Sequence, residues 1–285
     1  MKTVNSEKFN QWLVDYQSNL PSRPLIMGVL NVTPDSFSDG GKFLDPTQAC
    51  KQAILMIKQG ADIIDIGGES SKPGALPVTS SEELARVIPV IEQIRAISDV
   101  CISVDTCKAQ VMEEAVIAGA SLINDISAFS DPAALAIAAN HSVPICLMHM
   151  KGSPQTMQED PQYVDDVVLE INDFFQQRIQ ACVDAGIARE RIIIDPGFGF
   201  GKTIQHNMLL VRRLVEFQQH NQPVLLGVSR KSTLGAILEK PVNERLIGGI
   251  VISVLAALQG VALIRTHDVD ETQQALKMIQ AIVSA

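Results

Sequence analysis

The chain has 285 residues, a formal net charge of −9, and 46% hydrophobic against 19% charged residues. That balance belongs to a globular enzyme with a sizeable core; with no long basic stripe, the sequence argues against a nucleic-acid partner. An anionic substrate would need a local cationic pocket to overcome the repulsive background.

Aromatic residues make up only 4%. The core must therefore be built mainly of Ile, Leu, Val, Met and Ala, which suits strands buried on both faces. The five cysteines (Cys50, Cys101, Cys107, Cys146 and Cys182) are odd in number and contain no CxxC pair. No structural disulfide and a reducing compartment are the simple expectation. The start of the chain lacks the basic and apolar stretches of a signal peptide, and the longest apolar stretch, 247–258, is too short to span a bilayer. A cytoplasmic protein without a membrane partner is expected.

Residues 6–20 set Phe9, Trp12, Leu13, Tyr16 and Leu20 at helical spacing, which predicts a short helix sealing one end of the fold, within a cap segment over 1–22. Eight short apolar runs follow. Each ends on a residue type that does chemistry: Asn31, Glu69, Asp105, Asn124 with Asp125, His149, Asp195, Lys231, and Arg265 with His267. Helical patterns lie between them near 47–59, 81–98, 108–118, 132–141, 162–186, 206–220, 243–259 and 270–283. Caps are expected at Asp45 before Pro46, at Ser80 with Glu83 three residues on, and at Asp131 before Pro132. Eight strand–helix units in one chain predict an α/β fold, a (β/α)8 TIM barrel forming a single domain over 1–285. Functional groups in that fold gather where the strands end at their carboxyl termini. The apolar helix at 246–258 is expected to be buried on two sides, against the barrel and against a second subunit.

Two segments rich in Gly, Pro and Ser leave the same end of the barrel, 31–41 after the first strand and 67–77 after the second, and read as lids. Asp105, Asn124 and Asp195 end strands three, four and six. One such residue alone would be taken to satisfy loop backbone, whereas three converging ones favour a ligand. A carboxylate accepts two parallel hydrogen bonds, and an amide both donates and accepts, so the set suits a flat, nitrogen-rich ring. Lys231 faces the same mouth or is a solvated loop charge. Arg265 and His267, with Lys72, suit phosphate oxygens, the alternative for Arg265 being an ion pair with Asp268 or Asp270.

The run from Asp195 to Thr203 imitates a phosphate-binding loop, but Pro196 occupies the position of its first glycine. The glycines instead let the chain bend close over a ligand, with Phe198 or Phe200 as an apolar wall. His149 has no second His or Cys at ligand spacing and stays without a role. His141, His206 and His220 are expected on helix surfaces. Asp65 is a candidate for supporting the mouth from below.

The segments MGVLNVTPDSFSDGG, DIIDIGGESSKPGA, ISVDT, INDIS, DPGFGFGK, GVSRKS and IRTHD resemble, in order over residues 26–268, those of the dihydropteroate synthase family. The resemblance implies condensation of 6-hydroxymethyl-7,8-dihydropterin pyrophosphate with p-aminobenzoate, the folate-synthesis step that sulfonamides block, on a homodimer. It places Asp105, Asn124, Asp195 and Lys231 on the pterin and Asn31 on Mg²⁺. Lys72, Arg265 and His267, with Asn31, fall to the pyrophosphate. Phe37, Ser71, Pro73, Phe200 and Ser232 fall to p-aminobenzoate, and Asp35 joins Asp105 and Lys231 as catalytic. Ser71 and Lys72 depart from the family's more common Thr-Arg at these positions, which bears on sulfonamide sensitivity and pyrophosphate affinity. The rival readings are a pterin-binding methyltransferase domain, a class I aldolase using Lys231 as a Schiff-base nucleophile, and a pterin-binding scaffold without turnover.

Overall fold

In the computed structural model the described residues are 4–16, 23–33, 45–70, 74–164 and 166–285. Eight parallel strands pair in the order β6-β5-β4-β3-β2-β1-β8-β7. They are β1 (Leu25–Asn31), β2 (Ile63–Gly67), β3 (Cys101–Asp105), β4 (Leu122–Asp125), β5 (Ile145–Met148), β6 (Ile192–Asp195), β7 (Leu225–Gly227) and β8 (Leu263–Thr266). A parallel bridge between Ile194 and Val224 joins β6 to β7, which brings the sheet round to a nearly closed barrel. The (β/α)8 expectation holds.

The helices are α1 (Ser6–Tyr16), α2 (Pro46–Gln59), α3 (Ser80–Arg95), α4 (Ala109–Ile117), α5 (Pro132–Asn140), α6 (Val167–Asp184), α7 (Ile204–Arg212), α8 (Ser232–Leu238), α9 (Leu246–Leu258) and α10 (Val269–Val283). Alternate strand residues face opposite ways. Ile26, Ile64, Ile66, Ile102, Val104 and Ile194 pack outward with buried faces of the helices. Leu25, Met27, Ile63, Cys101, Leu122, Cys146, Ile193, Leu225 and Leu263 turn inward and form an apolar floor. Helix α1 closes that floor with Phe9, Leu13 and Tyr16, as its spacing predicts; Leu20 lies outside the described residues.

The Asp45 and Asp131 caps form as expected, each carboxylate accepting the N–H two residues on. The cap of α3 sits one residue earlier than expected. Thr79 and Glu82 make the reciprocal capping box, with Thr79 N–H donating to Glu82 at 2.8 Å and Glu82 N–H to Thr79 at 3.2 Å. The run TSSEE satisfies the pattern in two registers, and burial decides between them. Glu83 is fully buried and takes Lys108 Nζ at 2.6 Å, which turns its carboxylate toward α4 and the core and not toward the helix terminus. Farther on, the predicted helix over 206–220 breaks at Arg213, beyond which Leu214–His220 winds as a 3-10 helix. That tighter turn carries His220 inward to Asn172 at 2.8 Å, and the histidine is buried rather than on the surface. His206 caps α7. Helix α8 was not expected; it follows directly from Lys231.

Candidate active site

The mouth is assembled by register. Asn31 pairs with Gly67, Gly67 with Asp105, and Asp105 with Asn124, so four neighbouring strands end side by side. Gly67 carries no side chain between Asn31 and Asp105, and Gly227 plays the same part beside Arg265. Met148 pairs with Asp195 on the far side.

Arg265 lies across the mouth. Its Nε donates to Asp65 Oδ2 at 2.6 Å and its Nη2 to Asp105 Oδ2 at 2.7 Å. The sequence alternatives for this arginine, Asp268 and Asp270, are not its partners: Asp268 holds Arg230 at 2.5 Å. Asp65 is fully buried, and Asn124 Nδ2 also turns toward it at 3.4 Å. One guanidinium therefore serves two carboxylates. Burial pushes Asp105 up to about 7, Arg265 pulling the other way and Asp65 adding to the rise. The two hydrogen bonds engage only part of the guanidinium, which has five N–H groups, so Arg265 can hold both carboxylates and still meet an anion.

Asp195 is buried, and its carboxylate accepts Gly197 N–H at 2.7 Å. Burial raises its pKa, and the Lys231 ammonium opposes the rise. Lys231 Nζ donates to Phe198 C=O at 2.5 Å and stands 4.5 Å from the centre of the Phe200 ring. Burial lowers Lys231 to about 8, with Asp195 resisting. The lysine reaches this point because Arg230 before it takes a left-handed conformation, φ 62°, which is uncommon for a residue with a Cβ. Arg245 stabilises the bend by donating to the Arg230 carbonyl at 3.0 Å. No motif in the sequence signals that support.

His267 meets Ser229 through both its backbone N–H and Nδ1, each at 3.2 Å. Phe200 packs with Met148 and Met157 on one wall, whereas Phe198 turns into the core. The alternation within the glycine-rich run thus selects Phe200 as the wall. Ser232 is exposed at the first residue of α8. Asp35, Phe37, Ser71, Lys72 and Pro73 lie outside the described residues. Two residues that sequence reasoning left without a role are present here: Lys202, inside the quoted DPGFGFGK run, and His149, its hydrogen-bond partner.

Asn31 is the expected ligand of Mg²⁺. Among the described residues no group of three His, Cys, Asp or Glu side chains could cage a metal ion. A single neutral oxygen at the strand end suits an ion held mainly by substrate phosphate oxygens and water, which is how Mg²⁺ is commonly bound. The donors present fit the ion on those terms.

A barrel whose mouth holds carboxylates, an amide and a lysine in this order is a site for a polar heterocycle, and residues 27–267 match the family described as pterin binding enzyme. The dihydropteroate synthase of Escherichia coli (strain K12) is 52% identical over 93% of each chain. A Yersinia pestis dihydropteroate synthase solved with a sulfonamide drug complex superposes with a TM-score of 0.88 at 50% identity, covering 93% of this chain and 96% of that one. One from Xanthomonas albilineans in complex with 7,8-dihydropteroate gives 0.84 at 42% identity, over 92% and 95%. The chain belongs to the dihydropteroate synthase family, and it is a transferase of folate synthesis.

Proposed function

We propose that this mouth joins 6-hydroxymethyl-7,8-dihydropterin pyrophosphate to p-aminobenzoate by a path in which pyrophosphate leaves before the amine attacks. The observation that carries the reading is Arg265 set between Asp65 and Asp105, in a mouth that also holds Asp195 and Lys231. The mouth can thus hold a leaving anion and a developing cation at once beside a ring.

In this reading Asp195 and Asn124 take the hydrogen-bonding edge of the pyrimidinone, and Lys231 its carbonyl and N5 side. Arg265, His267 and Lys72 bind the pyrophosphate. Asn31 would hold Mg²⁺, which when bound would supply charge neutralisation for the leaving group. As the C–O bond breaks, the electron pair leaves with pyrophosphate and the methylene carbon shares positive charge with the ring. Asp105, already at the mouth, stabilises that charge, and Asp35 joins it. The segments 31–41 and 67–77 exclude water, which would otherwise capture the cation. The aryl amine needs only placement against Phe37, Ser71, Pro73, Phe200 and Ser232, because its attack on a cation requires no strong base. Its proton is lost after the C–N bond has formed.

The reading also takes the chain as one domain over 1–285 in the cytoplasm, working as a homodimer. Helix α9 supports the dimer: Ile247, Val251, Leu255 and Leu258 repeat along one face and are exposed, Ile247 at 75%. A second copy would cover that apolar stripe. All five thiols are free, and among the described residues no helix is long and apolar enough to cross a membrane.

The deciding experiment is a coupling assay with the pterin pyrophosphate, p-aminobenzoate and Mg²⁺. Pyrophosphate release that depends on the amine supports the reading. Tight pterin binding without release would leave a scaffold. Borohydride trapping of a carbonyl substrate on Lys231 would mean an aldolase, and sedimentation as a monomer would remove the dimer.

A further inference from the structure

The loop at 196–202 carries the Phe200 wall and the carbonyl that holds Lys231, yet it belongs to no helix or strand. Its order comes from side chains. From Gly197 to Gly201, every carbonyl accepts a side-chain hydrogen bond. Lys202 Nζ serves Gly197 at 2.9 Å and Phe200 at 3.1 Å. Lys231 Nζ serves Phe198 at 2.5 Å, Gln158 Nε2 serves Gly199 at 2.6 Å, and the Tyr163 hydroxyl serves Gly201 at 3.0 Å.

Lys202 is the centre of this arrangement. It is 2% exposed, and its third hydrogen bond goes to His149 Nδ1 at 2.9 Å. An ammonium has three N–H donors, and here it meets three acceptors. Burial pulls its pKa well below the usual lysine range, with Asp195 opposing; a neutral amine would donate to the two carbonyls and meet His149 only by accepting from Nδ1–H, so in either form the amine and the ring are hydrogen-bond partners. For Nδ1 to accept, His149 must be neutral, with its proton on Nε2. Burial, and then the charges of Lys202 and Lys151, hold its pKa far below the usual histidine range. The ring is itself fixed, edge-on to Phe174 at 4.9 Å, and the His149 N–H donates to Asp195 C=O at 2.9 Å. The loop lies directly on the end of β5. A Cβ at Gly197 would stand 1.8 Å from His149 O, and one at Gly201 2.3 Å from Lys151 O, so only glycine permits the approach.

We propose that Lys202 and His149 form a positioning pair for the aryl-amine half of the site. In this arrangement the pair holds the loop so that Phe200 walls the mouth and the Phe198 carbonyl aims the Lys231 ammonium. Neither side chain touches substrate; both act through Phe200 and Lys231. The inference rests on the reading of the mouth as a pterin and aminobenzoate site. A buried lysine that served stability alone would make the same hydrogen bonds, so the test must separate the two.

The intact protein is assayed as wild type, His149→Leu, His149→Asn and Lys202→Met. Steady-state kinetics gives KM for p-aminobenzoate, calorimetry gives the affinity for 6-hydroxymethyl-7,8-dihydropterin, and thermal melting gives Tm. His149→Leu removes the lone pair. His149→Asn returns an acceptor oxygen close to the Nδ1 position. Loss of one buried charge-assisted hydrogen bond predicts that His149→Leu raises KM for p-aminobenzoate roughly tenfold, and that Lys202→Met raises it further. Pterin affinity should fall by less than KM rises, by no more than about threefold, because of the four proposed pterin ligands only Lys231 is aimed by the loop, while Asp105, Asn124 and Asp195 are carried by strands, which are less readily displaced. His149→Asn should recover most of the loss.

Equal losses of both affinities, or an Asn variant no better than Leu at matched Tm, would overturn the positioning role. So would His149→Leu with a wild-type KM. If Lys202→Met fails to fold, the His149 pair decides the matter alone. A wild-type protein that releases no pyrophosphate defeats the functional reading itself, whereas an active wild type with unaffected variants defeats only this inference.

Discussion

The two ends of the barrel interior are built from the same eight strands and are chemically opposite. At the floor, apolar side chains from the strands pack against α1, and the chain before α1 joins the sheet as Cys101 N–H donates to Val4 C=O at 2.7 Å. At the mouth the inward positions are Asp65, Ser103, Asp105, Asn124, Asp195 and Arg265. Asp65 Oδ1 and Ser103 Oγ are buried there with no hydrogen-bond partner among the described residues. The floor converts burial into stability; the mouth gives some of it up, because desolvated charge and unpaired polar atoms cost free energy. The contrast shows which end is free to be optimised for folding and which is constrained by a ligand.

The sharpest way to break the contrast is at the mouth. Asp105→Asn removes the charge but keeps the shape, and turnover should fall by about 10³-fold while pterin affinity changes by less than about tenfold. Single-turnover pyrophosphate release and calorimetry check this. Equal losses in both would mean that Asp105 binds the ground state and does not stabilise the cation.

At the floor, Phe9 is fully buried and stacks on Trp12 with centroids 5.8 Å apart. Phe9→Ala should lower stability by about 3 kcal/mol in denaturant melts and leave kcat and both KM values of the folded protein unchanged. A kinetic change would show that the two ends are coupled.

The pH profile of kcat/KM tests the mouth more finely. On the proposed mechanism ionised Asp105 is the active form, so activity should rise as pH passes about 7, and it should fall above about 8 as Lys231 loses its proton. Removing the neighbouring anion by Asp65→Asn makes ionisation of Asp105 easier, which moves the rising limb to lower pH. The falling limb should stay, since the charges acting on Lys231 are those of Asp195, Arg265 and Asp105. A shift of both limbs would reassign one of them. The smallest effect is expected from Lys72→Arg, which restores a bidentate fork and should tighten pyrophosphate binding severalfold, by about 1 kcal/mol. Unchanged affinity in a pyrophosphate titration would mean that this side chain does not reach the anion.

Much of this was legible in the chain. The apolar runs and their polar ends marked the strands, and the gathering of strand carboxyl ends at one mouth of a barrel put Asp105, Asn124 and Asp195 together. Asp65, inside the second apolar run, was a candidate for supporting the mouth, and it is Arg265 that it meets. Two of the misses share one cause. The α3 cap and the burial of His220 each depended on a partner distant in sequence, namely Lys108 and Asn172. Local propensity has no access to such partners.

By itself, the sequence determined the strand count, the polar groups that end the strands at one mouth of the barrel, and the family. Those follow from side-chain period and residue type, which are local. Only the tertiary structure decided that Arg265 spans Asp65 and Asp105, that Phe200 and not Phe198 forms the wall, and that Lys202 and His149 meet. Each is a contact between segments tens to hundreds of residues apart, set by strand register and by burial. The pKa values of Asp105 and Lys231 arise in the same way, because desolvation and neighbouring charge exist only once the barrel has closed around them.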